Sequence, residues 1–263
     1  MKASGFEFRH RFWIIMAIFV LGFWAPWDYA LHLDGAGPDA HVWGWLAALI
    51  SKNGLMDITS AFDALLVLGI LCAGAGAVLR TWGSAYLGAE AMRDVEMRGD
   101  GVMADGPYRH LRNPLYVGSW INALALALLM PPSGAVFTLA LLAGFQGRLI
   151  LGEEAFLSAK LGEAYTNYCA EVPRLVPTLR KPTSEKRDPS TSSGQVAGHP
   201  AASGARPRWG QAALAEIFLW GVTASFAVLG WQYNAHLLLR CVLVSLGVAL
   251  VVKGLAKQQR PVA

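Results

Sequence analysis

The sequence predicts an all-α, polytopic membrane protein with about six transmembrane helices. Three observations carry this. Apolar residues make up 54% of the 263-residue chain and charged residues only 15%, with a mean hydropathy of +0.39, whereas an ordinary soluble domain carries roughly 25% charge. Six segments approach the roughly 17–25 apolar residues a bilayer crossing needs. Lys and Arg are also distributed very unevenly between the connections these segments would make.

The predicted spans are Phe12–Tyr29, Ile58–Leu79, Leu115–Met130, Gly134–Leu151, Ala212–Trp231 and Ala235–Val252. The first follows Lys2, Arg9 and Arg11 and lacks a small-residue cleavage site, so it is expected to remain as an anchor. The second contains Gly74-Ala75-Gly76, a pattern that permits close helix packing. Asp63, near its start, reads as an acid reaching the interface. The third is short at 16 residues, and Pro131-Pro132-Ser133-Gly134 turns the chain straight into the fourth. Between the first two spans, Trp43–Ile50 is too short to cross and has the Trp content of an interfacial segment.

Six crossings with both termini on one side put 20 of the 22 Lys and Arg residues on that side, leaving only Lys52 and Arg240 opposite. Basic residues concentrate in cytoplasmic loops, so both termini and the polar loops are expected in the cytoplasm. The chain divides into N-terminal transmembrane helices (1–80), a core with a polar connection, helical hairpin and further helix (81–178), a flexible linker (179–208) rich in Ser, Pro, Gly and charge, and a C-terminal transmembrane hairpin (209–263). The loop of the first part carries Asp28, Asp34 and Asp39, and Asp100-Gly101 and Asp105-Gly106-Pro107 mark turns in the polar connection. A helix is expected over Glu153–Tyr168, ended by Val172-Pro173.

Chemistry-bearing residues gather where polar loops meet the predicted hairpin. Residues 106–116 read Gly-Pro-Tyr-Arg-His-Leu-Arg-Asn-Pro-Leu-Tyr, and Gly152-Glu153-Glu154 stands where the hairpin returns. Asn113-Pro114 matches a helix N-cap followed by a first-turn proline, so capping alone accounts for that pair. Arg109, His110 and Arg112 fit as ordinary interfacial cations, and Gly106-Pro107 as a turn. Glu153 and Glu154 repel each other and resist desolvation. They form either a solvated helix face or a site in which, at about 100° per residue, each faces different surroundings. Arg148 lies one turn earlier, deep enough to require a partner. Tyr165 and Tyr168 share a packing face. No His/Cys/carboxylate cluster suggests a metal, no glycine motif suggests a dinucleotide, and the three separated cysteines match no disulfide pattern.

Taken in order and spacing, Gly106, Tyr108, Arg112, Asn113, Pro114, Tyr116, Glu153, Glu154, Leu161, Gly162, Tyr165, Tyr168, Val172, Pro173, Arg174 and Pro177 resemble the isoprenylcysteine carboxyl methyltransferase and phospholipid N-methyltransferase superfamily of integral membrane enzymes. Arg80-Thr81-Trp82-Gly83 and Leu87-Gly88 also look like that family's approach to its site. The resemblance covers about residues 70–178 and not the last hairpin. Two departures stand out. Asn113 replaces the His of many members and can hydrogen-bond but not carry a proton charge; Leu161 replaces Phe.

The resemblance implies S-adenosylmethionine held on the cytosolic side. Glu153 or Glu154 would pair with its ammonium, Tyr108 and Asn113 would bind polar atoms beside Pro114, and Val102, Met103 and Ala104 would offer backbone contacts. Tyr116 would line the methyl channel, and Arg148 would contact the acceptor. Methyl transfer is an in-line displacement that needs alignment, worth several of the roughly 7–11 kcal/mol available from proximity, and exclusion of water. The implied acceptor is a lipid or another lipophilic molecule entering from the bilayer, bearing a carboxylate or an amine; nucleic acid is not an expected partner. His110 is the only base candidate in the motif, which favours an acid or thiol over an amine. A small-thiol S-methyltransferase, an NADPH-dependent membrane reductase and a non-enzymatic transporter or scaffold remain open alternatives.

Overall fold

The structure is a computed structural model that describes residues 2–25, 41–87, 102–177 and 206–258, with side chains to residue 255. The predicted loop bearing Asp28, Asp34 and Asp39, Gly88, the Asp100-Gly101 turn and the linker up to residue 205 lie outside the described residues. All regular structure among the described residues is helical.

A short helix α1 (Gly5–Arg9) begins the chain. It is held by a capping box in which Ser4 Oγ accepts from Glu7 N–H while Glu7 accepts from Ser4 N–H. Helix α2 (Arg11–Trp24) follows directly. The predicted interfacial segment is helix α3 (Val42–Lys52), whose buried Trp43 donates its indole N–H to the Phe62 carbonyl. Helix α4 (Ile58–Leu87) is 30 residues long and forms the most extensive contact of the fold with α5 (Pro114–Ala127). A Cβ on Gly76 would stand 2.7 Å from the Gly118 carbonyl oxygen, so this crossing depends on small residues.

Proline sets both helix starts in the hairpin, Pro114 for α5 and Pro132 for α6 (Pro132–Leu161). Helix α6 runs without interruption through Glu153 and Glu154 to Gly162. There a backbone at φ 57°, which glycine adopts without steric cost, separates it from α7 (Glu163–Glu171). The predicted single helix from Glu153 to Tyr168 is therefore corrected to two. After the undescribed connection, α8 (Trp209–Ala215) and α9 (Ile217–Ala224) are followed by a wide turn of helix and a tight one up to Gln232. Helix α10 (Ala235–Gln258) closes the chain.

Of the six predicted spans, the described residues bear out part. Among the described residues three helices, α4, α6 and α10 up to Leu255, are long and apolar enough to cross a membrane. A fourth span exists if the α8–α9 pair, bent by 67° at Glu216, is taken as one. Helices α2 and α5 are apolar but have 14 residues each, a rise of about 21 Å against a hydrocarbon thickness of about 30 Å. Helix α5 stops early because Leu128, Leu129 and Met130 tighten into three-residue turns before Pro131. The core is mainly α4 packed against α3, α5 and the C-terminal hairpin, with Leu66, Leu129, Val222, Phe226 and Leu238 buried together.

Candidate active site

The motif loop is fixed between the end of α4 and the start of α7. Gly106 has φ 59°, and a Cβ there would meet the Tyr86 ring at 2.5 Å, so both conformation and space demand glycine. The loop continues as a short tight helix, Gly106–Arg109, that buries Tyr108. Tyr168 on α7 donates its hydroxyl to the Tyr108 carbonyl at 2.8 Å. Tyr165, Tyr168 and Val172 form a buried cluster against which Val102 and Ala104 pack. Burial pushes the phenols of Tyr108, Tyr165 and Tyr168 well above the ordinary tyrosine range, so all three stay protonated. The expected packing face of Tyr165 and Tyr168 is present, and it seats the segment at 102–104.

Glu154 is the hub of the site. Arg174 donates through Nε at 3.0 Å and Nη2 at 2.7 Å to its Oε2. Arg112 Nη1 lies 3.4 Å from Oε1. Asn113 Nδ2 also donates to Oε1 at 3.4 Å and to the Arg174 carbonyl at 3.2 Å. The backbone repeats this link, since Arg112 N–H donates to the Pro173 carbonyl at 2.9 Å. Asn113 occupies the N-cap position of α5, but its side chain makes no capping bond. It reaches instead to α6 and to the segment after α7, so capping does not account for this residue. Pro114 does sit in the first turn, as its sequence position suggests.

Glu153 faces the other way, as the helical angle requires. The Tyr116 hydroxyl donates to its Oε1 at 2.9 Å. The two carboxylates thus have separate surroundings, and neither belongs to a solvated face. Arg148 is engaged elsewhere: its Nε and Nη2 donate to Glu7 at 3.0 and 2.8 Å, and the Lys2 carbonyl accepts from Nη2 at 3.3 Å. The same strap brings Ala3 N–H onto the Arg148 carbonyl and Ala3 against Gly152. Arg148 draws the Glu7 carboxyl down from 4.5 to about 2.

The residues brought together are therefore Val102, Ala104, Tyr108, Asn113, Pro114, Tyr116, Glu153 and Glu154, with Met103 between the two that pack on α7. Arg148 borders the group through the N-terminal strap. Three polar residues went unread in the sequence. Glu7 pairs with Arg148, and Glu216 and Ser119 both bind Arg80. An acid inside a predicted span was the available signal for Glu216, since such a residue demands a partner. Asp63 does have one, a hydrogen bond from the Tyr233 hydroxyl. Among the described residues no group of three or more His, Cys, Asp or Glu residues is arranged to hold a metal.

Residues 64–164 match the family described as phospholipid methyltransferase. Over 80 residues the chain is 36% identical to the protein-S-isoprenylcysteine O-methyltransferase of Schizosaccharomyces pombe, an alignment spanning 30% of this chain and 34% of that relative. The chain thus matches about a third of the length of that curated relative. No solved structure matches. The matched family segment contains the motif loop, Tyr116 and both glutamates, and ends before Tyr165, Arg174 and the C-terminal hairpin. Both comparisons are thus likenesses to methyltransferases, and the family match falls on residues 64–164.

Proposed function

We propose that this chain transfers a methyl group from S-adenosylmethionine to a lipophilic acceptor, at the end of the helical bundle formed by the motif loop and residues 153–174. The distribution of basic residues argues that this end is cytosolic. On this reading residues 81–178 are the methyltransferase core and the two flanking helical regions enclose it.

The observation that carries the reading is the unequal pairing of the two glutamates. Glu154 is neutralised by Arg112 and Arg174. Glu153 has the neutral phenol of Tyr116 as its hydrogen-bond partner and keeps acceptor capacity for an ammonium. Arg112 Nε is buried with no partner among the described residues, and a polar group bound there would satisfy it. Glu153 thus offers a carboxylate for the cation of an amino-acid-like cofactor head, and Arg112 offers a guanidinium N–H on the Glu154 side of the site. When bound, that cofactor supplies an electrophilic methyl on a sulfonium sulfur.

Each residue of the chain then has a defined task. Glu153 holds the ammonium, Tyr116 orients Glu153, and Glu154 locks Asn113 and the segment after α7 around the cofactor. Tyr108, protonated and buried, acts as a neutral hydrogen-bonding wall beside Pro114. Val102, Met103 and Ala104 supply backbone contacts. Arg148 now holds Glu7; action on an acceptor carboxylate would require that ion pair to open.

The name of the yeast relative, an isoprenylcysteine O-methyltransferase, favours a carboxylate acceptor, and the family description keeps a lipid amine as the second choice. A carboxylate needs no base, in keeping with His110 being the only basic candidate in the motif. Incubating the membrane-reconstituted protein with methyl-labelled cofactor and a membrane lipid extract tests the reading. Label in the lipid phase is expected. Label only in a short soluble thiol, or tight binding of NADPH in place of the methyl donor, would overturn it.

A further inference from the structure

The C-terminal hairpin lies outside the matched family segment, yet it delivers a buried carboxylate to the core. Glu216 is 2% exposed and sits at the break between α8 and α9, where its non-helical backbone (φ −103°, ψ 17°) presents the side chain inward. Arg80 Nε and Nη2 donate to its two oxygens at 2.8 and 2.9 Å, and Ser84 Oγ donates to Oε1 at 2.8 Å. A buried ion pair of this kind is weak evidence for stability, because an apolar pair of similar volume is often at least as stable.

The other side of the same guanidinium points to a role in the site. Arg80 Nη1 donates to the Leu115 carbonyl at 3.2 Å and to Ser119 Oγ at 2.6 Å. Leu115 and Ser119 flank Tyr116 on the first two turns of α5, and Tyr116 holds Glu153 at 2.9 Å. The Arg80 stem passes close over Gly118, where a Cβ would stand 2.6 Å from it. Two further contacts seat the hairpin on the end of α4: Trp220 Nε1 donates to Thr81 Oγ1 at 3.0 Å, and Arg208 N–H donates to the Ala85 carbonyl at 2.9 Å. The end of α4 also carries the motif loop, with Tyr86 against Gly106 and Trp82 beside His110. Arg80 and Glu216 both act electrostatically on Tyr108.

We propose that Glu216 is a positioning residue for the Tyr116–Glu153 pair, acting through Arg80, so that the C-terminal hairpin is a working part of the site and not an appended anchor. This rests on the reading in which Glu153 receives the cationic methyl donor. A latch that served stability alone would be replaceable by apolar residues without consequence for the site, and that difference is measurable.

The full-length protein in detergent is compared with the double variant R80M/E216L, which removes both charges together and leaves no unpaired ion. The double variant is expected to melt close to the wild type, yet to bind S-adenosylhomocysteine about tenfold more weakly by calorimetry. Its hydrogen exchange over residues 117–123 should be faster, with the middle of α6 unchanged. Wild-type affinity and wild-type exchange in the folded double variant would overturn the proposal. Should that variant fail to fold, Glu216→Asp keeps the charge and shortens the reach; weakened affinity supports the proposal and unaltered affinity overturns it. A wild-type protein that binds no S-adenosylhomocysteine would refute the methyl-donor reading itself. The exchange at 117–123 would then still decide the mechanical link, faster in the double variant if Glu216 positions α5 and unchanged if it does not.

Discussion

Arg174 places both Nε and Nη2 on the Glu154 carboxylate, at 3.0 and 2.7 Å from Oε2, and so closes the segment after α7 over the start of α5. Twenty residues separate the two in sequence. Their side-on fork is the geometry in which a guanidinium binds a carboxylate most firmly. Arg112 and Asn113 converge on the same group from the motif loop, so one buried acid joins three parts of the chain.

Removing that acid should do more harm than removing any one of its donors. Glu154→Ala leaves two guanidiniums facing each other in a largely buried space and is expected to cost about 3–5 kcal/mol. Arg174→Ala exposes the acid to water on a side already 45% open at the arginine, and Arg112 still compensates it, so about 1–2 kcal/mol is expected. Thermal unfolding in detergent measures both, and equal losses would contradict the hub assignment.

Tyr116→Phe deletes one hydroxyl and leaves the packing of its ring against the cluster of Phe8, Ile18, Phe145 and Leu149 in place. Glu153 then loses its described hydrogen-bond donor and becomes less ordered. A penalty of about 1.5 kcal/mol, the low end for a hydrogen bond to a charged group, corresponds to roughly a tenfold loss of cofactor affinity. The melting temperature should move little. Titration calorimetry of the variant with S-adenosylhomocysteine checks this.

Two glycines make a matched pair for packing. Gly118→Ala brings a Cβ to 2.6 Å from the Arg80 stem and 3.0 Å from the Gly76 carbonyl, an overpacking expected to cost about 1–3 kcal/mol. Gly147→Ala meets nothing within 4 Å and should be neutral, or stabilising by up to about 1 kcal/mol through helix propensity. Unfolding of the two variants under identical conditions gives the comparison.

The N-terminal strap has a defined pH dependence. Arg148 lowers the Glu7 carboxyl from 4.5 to about 2. The contribution of this pair is therefore fully present above the unfolded value of 4.5 and is lost as pH falls towards 2. Limited proteolysis of residues 2–11 should find the wild type equally protected at pH 5 and pH 8. Glu7→Gln should be cut at neutral pH, because the ionic half of the clasp is gone.

Much of this site was legible because its polar residues stand at short, ordered spacings beside apolar runs. Tyr116 and Glu153 lie 37 residues apart at the two ends of a hairpin, and a tight hairpin brings its ends together. Asn113 was ambiguous for a physical reason: capping and long-range binding use the same side-chain amide, and the packing of α6 and Arg174 around it decides between them. Glu216 was legible as an acid in need of a partner but its pairing was not, since Arg80 is 136 residues away and no local pattern links them. The bend at Glu216 followed from the same omission, because an apolar window reads straight through one acid. The end of the third predicted span was misplaced similarly, since α5 stops at Ala127. Hydropathy measures apolar length, whereas α5 is shortened by backbone turns before Pro131.

The central claim is that Glu153 is the carboxylate reserved for a cationic methyl donor. Titrating the full-length wild type and Glu153→Gln with S-adenosylhomocysteine tests it most directly. The account predicts saturable one-to-one binding by the wild type and a loss of at least about a hundredfold in the variant, the scale of a charge-assisted pair. Equal binding by the two proteins would contradict it, as would no binding by the wild type.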